Sequence, residues 1–399
     1  MRDADQSLPL EGLRVLEFGH TVMGPTCGLI LADMGAEVFK VEKAGKGDDT
    51  RHLKGFGAGF FPFFNRNKKS ISVDLKSEQG KDVVSKLINR SDVLIENFGP
   101  GTMDRLGFGY EVCKSINDRL IFCSLKGFMP GPYEKRPALD EVVQMMSGLA
   151  YMTGPTGRPL RAGASVVDIM GGTYGAVGIL SALHERQRTG KGKFVQATLY
   201  ESAAFLVGQH MAIAAATGQP PPPMPERGRT WSIYDLFTTA DDEQVFLGVT
   251  SERHWASLCS VFGFDDFLED SRLATNHDRI EQRQWFLPEL QQRIRKLSKE
   301  EFMALAEQAS VPFAPIGQPK DLFEDEHLNL SHGLAETTFP SGSRAKLPKI
   351  PLSMDHQRFD LRSDPPRVGQ GAEQFLLEAG LTAEQFRQLQ EEGIITVEQ

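Results

Sequence analysis

The side chain in this sequence best placed to do chemistry is Asp168. It lies in "SVVDIMGGTYGAVGILSAL", residues 165–183, where it is the one charge among small and apolar residues. A carboxylate against that much apolar surface is costly unless something holds it. Two roles fit. At the start of the apolar-periodic helix that follows, Asp168 would be an N-cap or first-turn acid, favoured by the helix dipole. As a nucleophile it would attack an activated acyl group and form a mixed anhydride. The helix start would then keep it ionised and stabilise negative charge beside it. The "GGTYGAVG" that follows lowers helix stability, so these glycines are better explained by close approach of another backbone or of a ligand.

A second set of candidate groups is cationic, and its position depends on the elements around it. Short β-branched runs, "LRVLEF" (13–18), "EVFKVE" (37–42), "SISVDL" (70–75), "DVLIEN" (92–97) and "LIFCSL" (120–125), alternate with helical patterns. That rhythm predicts right-handed crossovers and a doubly wound parallel sheet, an α/β fold. Ligands of such sheets bind at the carboxyl ends of the strands. Those ends carry Lys40, Lys43, Lys46, Arg51, Lys76, Arg105 and Lys126. Such a basic rim suits an elongated, phosphate-bearing ligand, the alternative being solvated loop charges. A nicotinamide-dependent dehydrogenase would need GxGxxG after the first strand, and "GHTVMGPTCG" has its glycines wrongly spaced.

Downstream, helices are expected near 138–150, 168–188 and 200–217, with "FVQATL" as a strand. The four consecutive prolines in "TGQPPPPMPERGR" mark a semi-rigid connector. Residues 1–216 therefore read as a large domain, 217–230 as the linker and 231–330 as a small α+β domain. Two strands around 233–249 and helices to about 310 make up the small domain; strands at 334–353 and two short helices at 371–391 follow it.

Composition narrows the classes. A formal net charge of −9 argues against a general nucleic-acid or anionic-membrane binder. The four scattered cysteines form no CxxC pair and read as reduced thiols. The nine histidines show no metal-ligand spacing, so no metal is expected. The start fits neither a signal nor a transit peptide. The weakly charged stretches 162–184 and 202–218 suit buried helices better than membrane spans. A cytoplasmic protein is the expectation.

Several segments together are specific. "LEGLRVLEFGHTVMGPTCGLILADMGAEVFKVEK", "NRNKKSISVDLKSEQG", "VLIENFGPGTMDRLG", "SLKGF", "RPALDEVVQMMSGL", the Asp168 segment and "HERQRTGKGKFVQATLYES" resemble, in order and spacing, the family III CoA-transferases. That family includes formyl-CoA transferase, carnitine CoA-transferase and succinyl-CoA-dependent dicarboxylate transferases, and the alpha-methylacyl-CoA racemases share its fold. The match is continuous over roughly the first 205 residues and resumes at "NHDRIEQR", "VPFAPIGQP" and "EAGLTAEQFRQLQEEGII".

The resemblance implies a nucleophilic Asp168 that passes through aspartyl anhydride and aspartyl-CoA thioester intermediates, with backbone N–H groups of the glycine-rich turn supporting the oxyanions. Coenzyme A would be a substrate, with no permanently bound cofactor. The matching positions for its site are Val22, Met23, Lys43, Val73, Lys76, Asn97, Phe98, Gly99, Arg105 and Lys126. Asp140 would orient the nucleophile or the acceptor, or serve as a helix N-cap. The implied architecture is a Rossmann-like large domain completed by residues 331–399, plus the small domain, in ring-shaped subunits of an interlocked homodimer.

Two departures bear on the activity. In "RPALDEVV" the racemases carry a catalytic His where this chain has Leu139, which cannot shuttle a proton. An acyl-CoA racemase or epimerase is therefore the second reading, behind transfer to a small dicarboxylic or hydroxy acid. The formyl-CoA transferase glycine run is missing from "PPPPMPERGRTWSIYD", where Arg227, Arg229, Ser232 and Tyr234 are candidates to face an acceptor carboxylate, or belong to a plain linker.

Overall fold

The computed structural model describes residues 8–226 and 230–396, so Arg227 and Arg229 lie outside the described residues. The chain runs β1 (Arg14–Phe18), α1 (Met23–Asp33), β2 (Glu37–Lys43), β3 (Lys68–Val73), α2 (Glu78–Asn89), β4 (Val93–Glu96) and β5 (Ile121–Lys126). It continues through α3 (Asp140–Met146), α4 (Val166–Thr189), β6 (Phe194–Thr198) and α5 (Leu199–Leu206). Strands β1–β6 pair in parallel in the order β3-β2-β1-β4-β5-β6, and the short strand Ile395–Thr396 adds antiparallel to β3.

Strand alternation sends successive side chains to opposite faces, and both faces are covered, as a parallel sheet requires. Val15, Val38, Val93, Ile95 and Ile121 pack with residues of α1 and α4. Leu16, Phe39, Leu94 and Phe122 pack with α2 and with the C-terminal helices Glu373–Glu378 and Ala383–Glu391. Phe39 stacks on Phe375 at 4.3 Å. The C-terminal segment is thus part of the large unit's core, tied in by Ser70 N–H to Gln370 O and Asp74 N–H to Ile394 O.

Sheet order reverses between β1 and β4, which sets the loop after β1 beside the loop after β4. This is the switch point at which open α/β sheets bind ligands. Helix α4 is long and apolar enough to cross a membrane by length and composition. Its buried glycines lie instead against α1, with Ile179 and Ala182 in the core beside the sheet.

Local differences from the expectations have physical causes. The stretch 138–150 forms two helices, because Gly148 at φ 86° ends one and begins the next. The 200–217 helix breaks at Val207. Lys40, expected on the basic rim, is fully buried within β2.

Among the described residues, 230–325 form a second compact unit. Its antiparallel sheet orders β7 (Ile233–Thr238), β8 (Gln244–Val249) and β9 (Phe313–Pro315). Trp255, Phe267, Phe286 and Phe302 fill its core. Ser232, a candidate acceptor contact, is fully buried and receives a hydrogen bond from Arg279 Nε, so it faces the core of this unit. Tyr234 is 42% exposed and packs edge-on against Phe246.

Candidate functional site

Asp168 is the third residue of α4, in its first turn, and Ser165 at the N-cap position makes no capping bond with its side chain. The cap comes from another helix. Asp140 Oδ2 accepts from Val167 N–H at 2.9 Å and Asp168 N–H at 3.1 Å, while Oδ1 accepts from Gln144 Nε2. Asp140 is itself the first residue of α3 and is buried, so it caps the helix that carries Asp168 while its own helix starts from Leu139. An acceptor at that position offsets orphan N–H donors and fixes the α4 N-terminus in place.

Helices α1 and α4 pack closely because α4 presents glycines there. A Cβ on Gly172 would sit 2.5 Å from Met23 O and 2.8 Å from Thr26 Cβ. The glycine segment therefore accommodates another backbone. It lies inside α4, so its N–H groups are spent in the helix and do not form the oxyanion-supporting turn expected for them.

A cavity of about 270 Å³ opens at the switch point. Its lining brings together Val22, Met23, Asn97, Phe98, Gly99, Lys126, Asp140 and Asp168, all named from the sequence. It also includes His20, Thr21, Arg136, Pro137, Ala138 and Leu139, of which only Leu139 carried a sequence argument. Asn97 joins the two strand-end loops: it donates to His20 O at 3.0 Å and accepts from His20 N–H at 2.9 Å. Gly24 makes that approach possible, since a Cβ there would meet the Asn97 amide at 2.9 Å. The His20 ring stacks on Phe98, and burial lowers its pKa, favouring the neutral imidazole.

Below these loops lies a buried ionic network. Lys40 Nζ donates to Gly19 O at 2.6 Å and pairs with Glu17 and Asp48. Lys68 Nζ donates to Glu17 Oε2, Pro25 O and Asn65 Oδ1. Burial pushes Lys68 down to about 8 even beside Glu17. These cations are committed to holding the β1–α1 loop and are unavailable to a ligand.

The other cations of the expected rim divide. Arg51 forks onto Glu42, and Lys126 donates to Glu96 Oε2 at 2.6 Å and Phe98 O at 2.7 Å. Lys43 is exposed and pairs with Asp49, while Arg105 donates to Thr102 Oγ1 on the surface. Lys46 and Lys76 are also exposed. Lys43, Lys76, Arg105 and Val73 do not line the cavity. Val73 is 1% exposed within the sheet core, so its side chain cannot meet a ligand.

The Asp168 carboxylate accepts no hydrogen bond among the described residues. Burial and the neighbouring Asp140 charge push its pKa up to about 7, against the opposing pull of Arg161. Burial and the Asp140 charge thus act against the helix start, which was expected to favour the ionised form. A carboxylate of this kind is poorly solvated, free of partners and held by its backbone, which suits attack on a carbonyl carbon. Among the described residues no group of three or more His, Cys, Asp or Glu side chains is arranged to hold a metal ion.

Comparison with known proteins is consistent over nearly the whole chain. The family model "CoA-transferase family III" matches residues 10–372. An acyl-CoA transferase of Fusarium pseudograminearum is 34% identical, covering 97% of this chain and 88% of that protein. A succinyl-CoA:glutarate CoA-transferase of Mus musculus is 32% identical over 94% of this chain and 87% of its own length. An acetyl-CoA:oxalate CoA-transferase of Acetobacter aceti is 36% identical over 77% of this chain and 80% of its own. Among solved structures, a CAIB/BAIF family protein from Brucella suis superposes with a TM-score of 0.84 at 30% identity, covering 94% of this chain and all 100% of that one. With a sheet of this order, a cavity at its switch point and a match of this extent, the chain belongs to the family III CoA-transferases.

Proposed function

We propose that this enzyme moves CoA from an acyl-CoA to a small dicarboxylic or hydroxy acid, with Asp168 as nucleophile. The observation that carries the reading is the Asp168 carboxylate, partnerless in a narrow cavity, on a helix whose N-terminus is capped by Asp140. Relatives named for transfer to glutarate and to oxalate support an acid of that class.

In the first step an Asp168 oxygen attacks the donor thioester carbon, the C–S bond breaks and CoA leaves as thiolate. The thiolate then attacks the Asp168 acyl carbon of the mixed anhydride, giving an aspartyl-CoA thioester and the free donor acid. The acceptor carboxylate attacks that thioester and again releases CoA thiolate. The thiolate attacks the acceptor's carbonyl, so that the new acyl-CoA forms and the Asp168 carboxylate is restored. No step needs ATP, because thioester activation is retained throughout. Water must be kept from the anhydride, and the apolar wall of Val22, Met23, Leu125 and Leu199 supports that.

CoA would enter with its thiol end in the cavity. The exposed Lys43, Lys76 and Arg105 lie at or beyond the carboxyl ends of β2, β3 and β4, positions suited to its phosphates. An exposed apolar group on α4, α5 and the helix Gly208–Thr217 (Tyr174, Val177, Phe205 and Met211) calls for cover and supports a homodimer, which we take to be interlocked. Four free, buried cysteines support a reducing, cytoplasmic setting.

The direct test is exchange of CoA between two acids, read by mass spectrometry of the CoA products. Asp168→Ala is expected to remove it almost entirely, and undiminished turnover in that variant would end the proposal.

A further inference from the structure

We infer that Arg136 selects a dicarboxylic acceptor by holding the carboxylate remote from the reacting one. This rests on the CoA-transferase reading above. The cavity's titratable lining consists of His20, Lys126, Arg136, Asp140 and Asp168. Burial disfavours the charged form of His20, and Lys126 is paired with Glu96. Arg161, the cation beside Asp140, lies within 3.5 Å of it and donates to Ala162 O and Ala164 O. The Arg136 guanidinium has no hydrogen-bond acceptor and no carboxylate partner among the described residues.

Arg136 is nevertheless held in place. Its guanidinium carbon lies 4.3 Å from the centre of the Tyr133 ring, and that ring meets Phe128 and Tyr200 edge-on. Arg136 N–H closes a turn onto Tyr133 O at 2.8 Å, and Pro137 follows. A guanidinium laid on an aromatic face keeps its edge donors free for a bidentate carboxylate. A dicarboxylate brings two negative charges into a cavity that already holds Asp140 and Asp168. One is consumed in anhydride formation, and the other needs a cation that is not already paired. At about 270 Å³ the cavity falls just below the range of drug-sized sites, ~300–1,000 Å³, a size suited to a small acid and the thiol end of CoA.

The test compares kcat/KM for glutarate and for pentanoate with one acyl-CoA donor and the full-length enzyme. The unmodified enzyme should prefer glutarate. Arg136→Gln should lower the glutarate-to-pentanoate ratio by about 10- to 100-fold, the loss typical of a charge-assisted pair. Arg136→Lys, which keeps the charge without the fork, should fall between the two. Arg136→Glu should turn the preference toward 5-aminopentanoate. An unchanged ratio in Arg136→Gln would overturn the inference, as would an unmodified enzyme without preference. A KM for acyl-CoA raised by the same factor would also overturn it, by placing Arg136 on the CoA phosphates. Release of the donor acid from acyl-CoA alone, with CoA retained on the enzyme, in a single turnover without acceptor, separates the two layers. Its absence in the unmodified enzyme would count against Asp168, whereas its presence with an unchanged ratio would count against Arg136 only.

Discussion

Asp168→Asn should stabilise the protein, and by an amount that grows with pH. In the folded chain the carboxyl titrates near 7, whereas in the unfolded chain it titrates near its ordinary 3.8. Below pH ~4 it is protonated in both states and carries no penalty. As the pH rises from ~4 to ~7 the unfolded chain releases its proton first, so the folded state loses relative stability, and above ~7 the full penalty is present. Three pH units at about 1.36 kcal/mol each give about 4 kcal/mol as an upper bound. Cavity water screens a half-buried group, so about 2 kcal/mol is the working figure. The amide variant has no such titration. In a unit of this size that amounts to a gain of roughly 4 °C in Tm at pH 8, against little or none at pH 4.5. Paired thermal scans of both proteins at matched scan rate across that range test the argument. A Tm difference independent of pH, or one that shrinks toward pH 8, would refute it.

Other consequences follow from the same geometry. The acylation rate in single-turnover experiments should fall as pH drops through about 7, because only the ionised Asp168 attacks. Asp140→Asn keeps an acceptor for the α4 N-terminus but removes the neighbouring charge, so that limb of the profile should move to lower pH; Asp140→Ala should also destabilise by about 1 kcal/mol through loss of the cap, seen as a lower Tm. Gly172→Ala places a methyl 2.5 Å from Met23 O and should cost about 1–3 kcal/mol as α1 and α4 are forced apart, measured by denaturant unfolding. Turnover in deuterated water should leave the α-carbon of the acyl group unlabelled; incorporation without acyl exchange would favour the racemase reading instead.

The sheet was legible because its strands are short β-branched runs that recur between helical patterns, apolar on both faces: Val15 and Leu16, Val38 and Phe39, Val93 and Leu94 each divide between the two cores. Strand ends then located the loops, and Asn97, Phe98, Gly99 and Lys126 line the cavity where those loops meet. Asp168 was visible as a lone charge in apolar surroundings. Relations between distant segments were not. Nothing local distinguishes Lys40, buried against Glu17 and Asp48, from the exposed Lys43 three residues later. Asp140 read either as an orienting group or as a cap for its own helix; it caps another, because capping depends on which helix N-terminus the fold brings near. The raised pKa of Asp168 likewise depends on burial and on Asp140, a residue 28 positions away. Arg136 gave no signal, since an arginine in a Pro-rich loop resembles any solvated charge until Tyr133 and the cavity wall are seen around it. The third strand of the small sheet, Phe313–Pro315, is too short for a periodic pattern to show.

The most direct test of the central claim is chemical trapping. Enzyme incubated with acyl-CoA in the presence of hydroxylamine, then digested and sequenced by mass spectrometry, should carry a hydroxamate on the Asp168 side chain, dependent on the thioester. Full turnover with Asp168 unmodified, or with the hydroxamate on another carboxylate, would contradict the account.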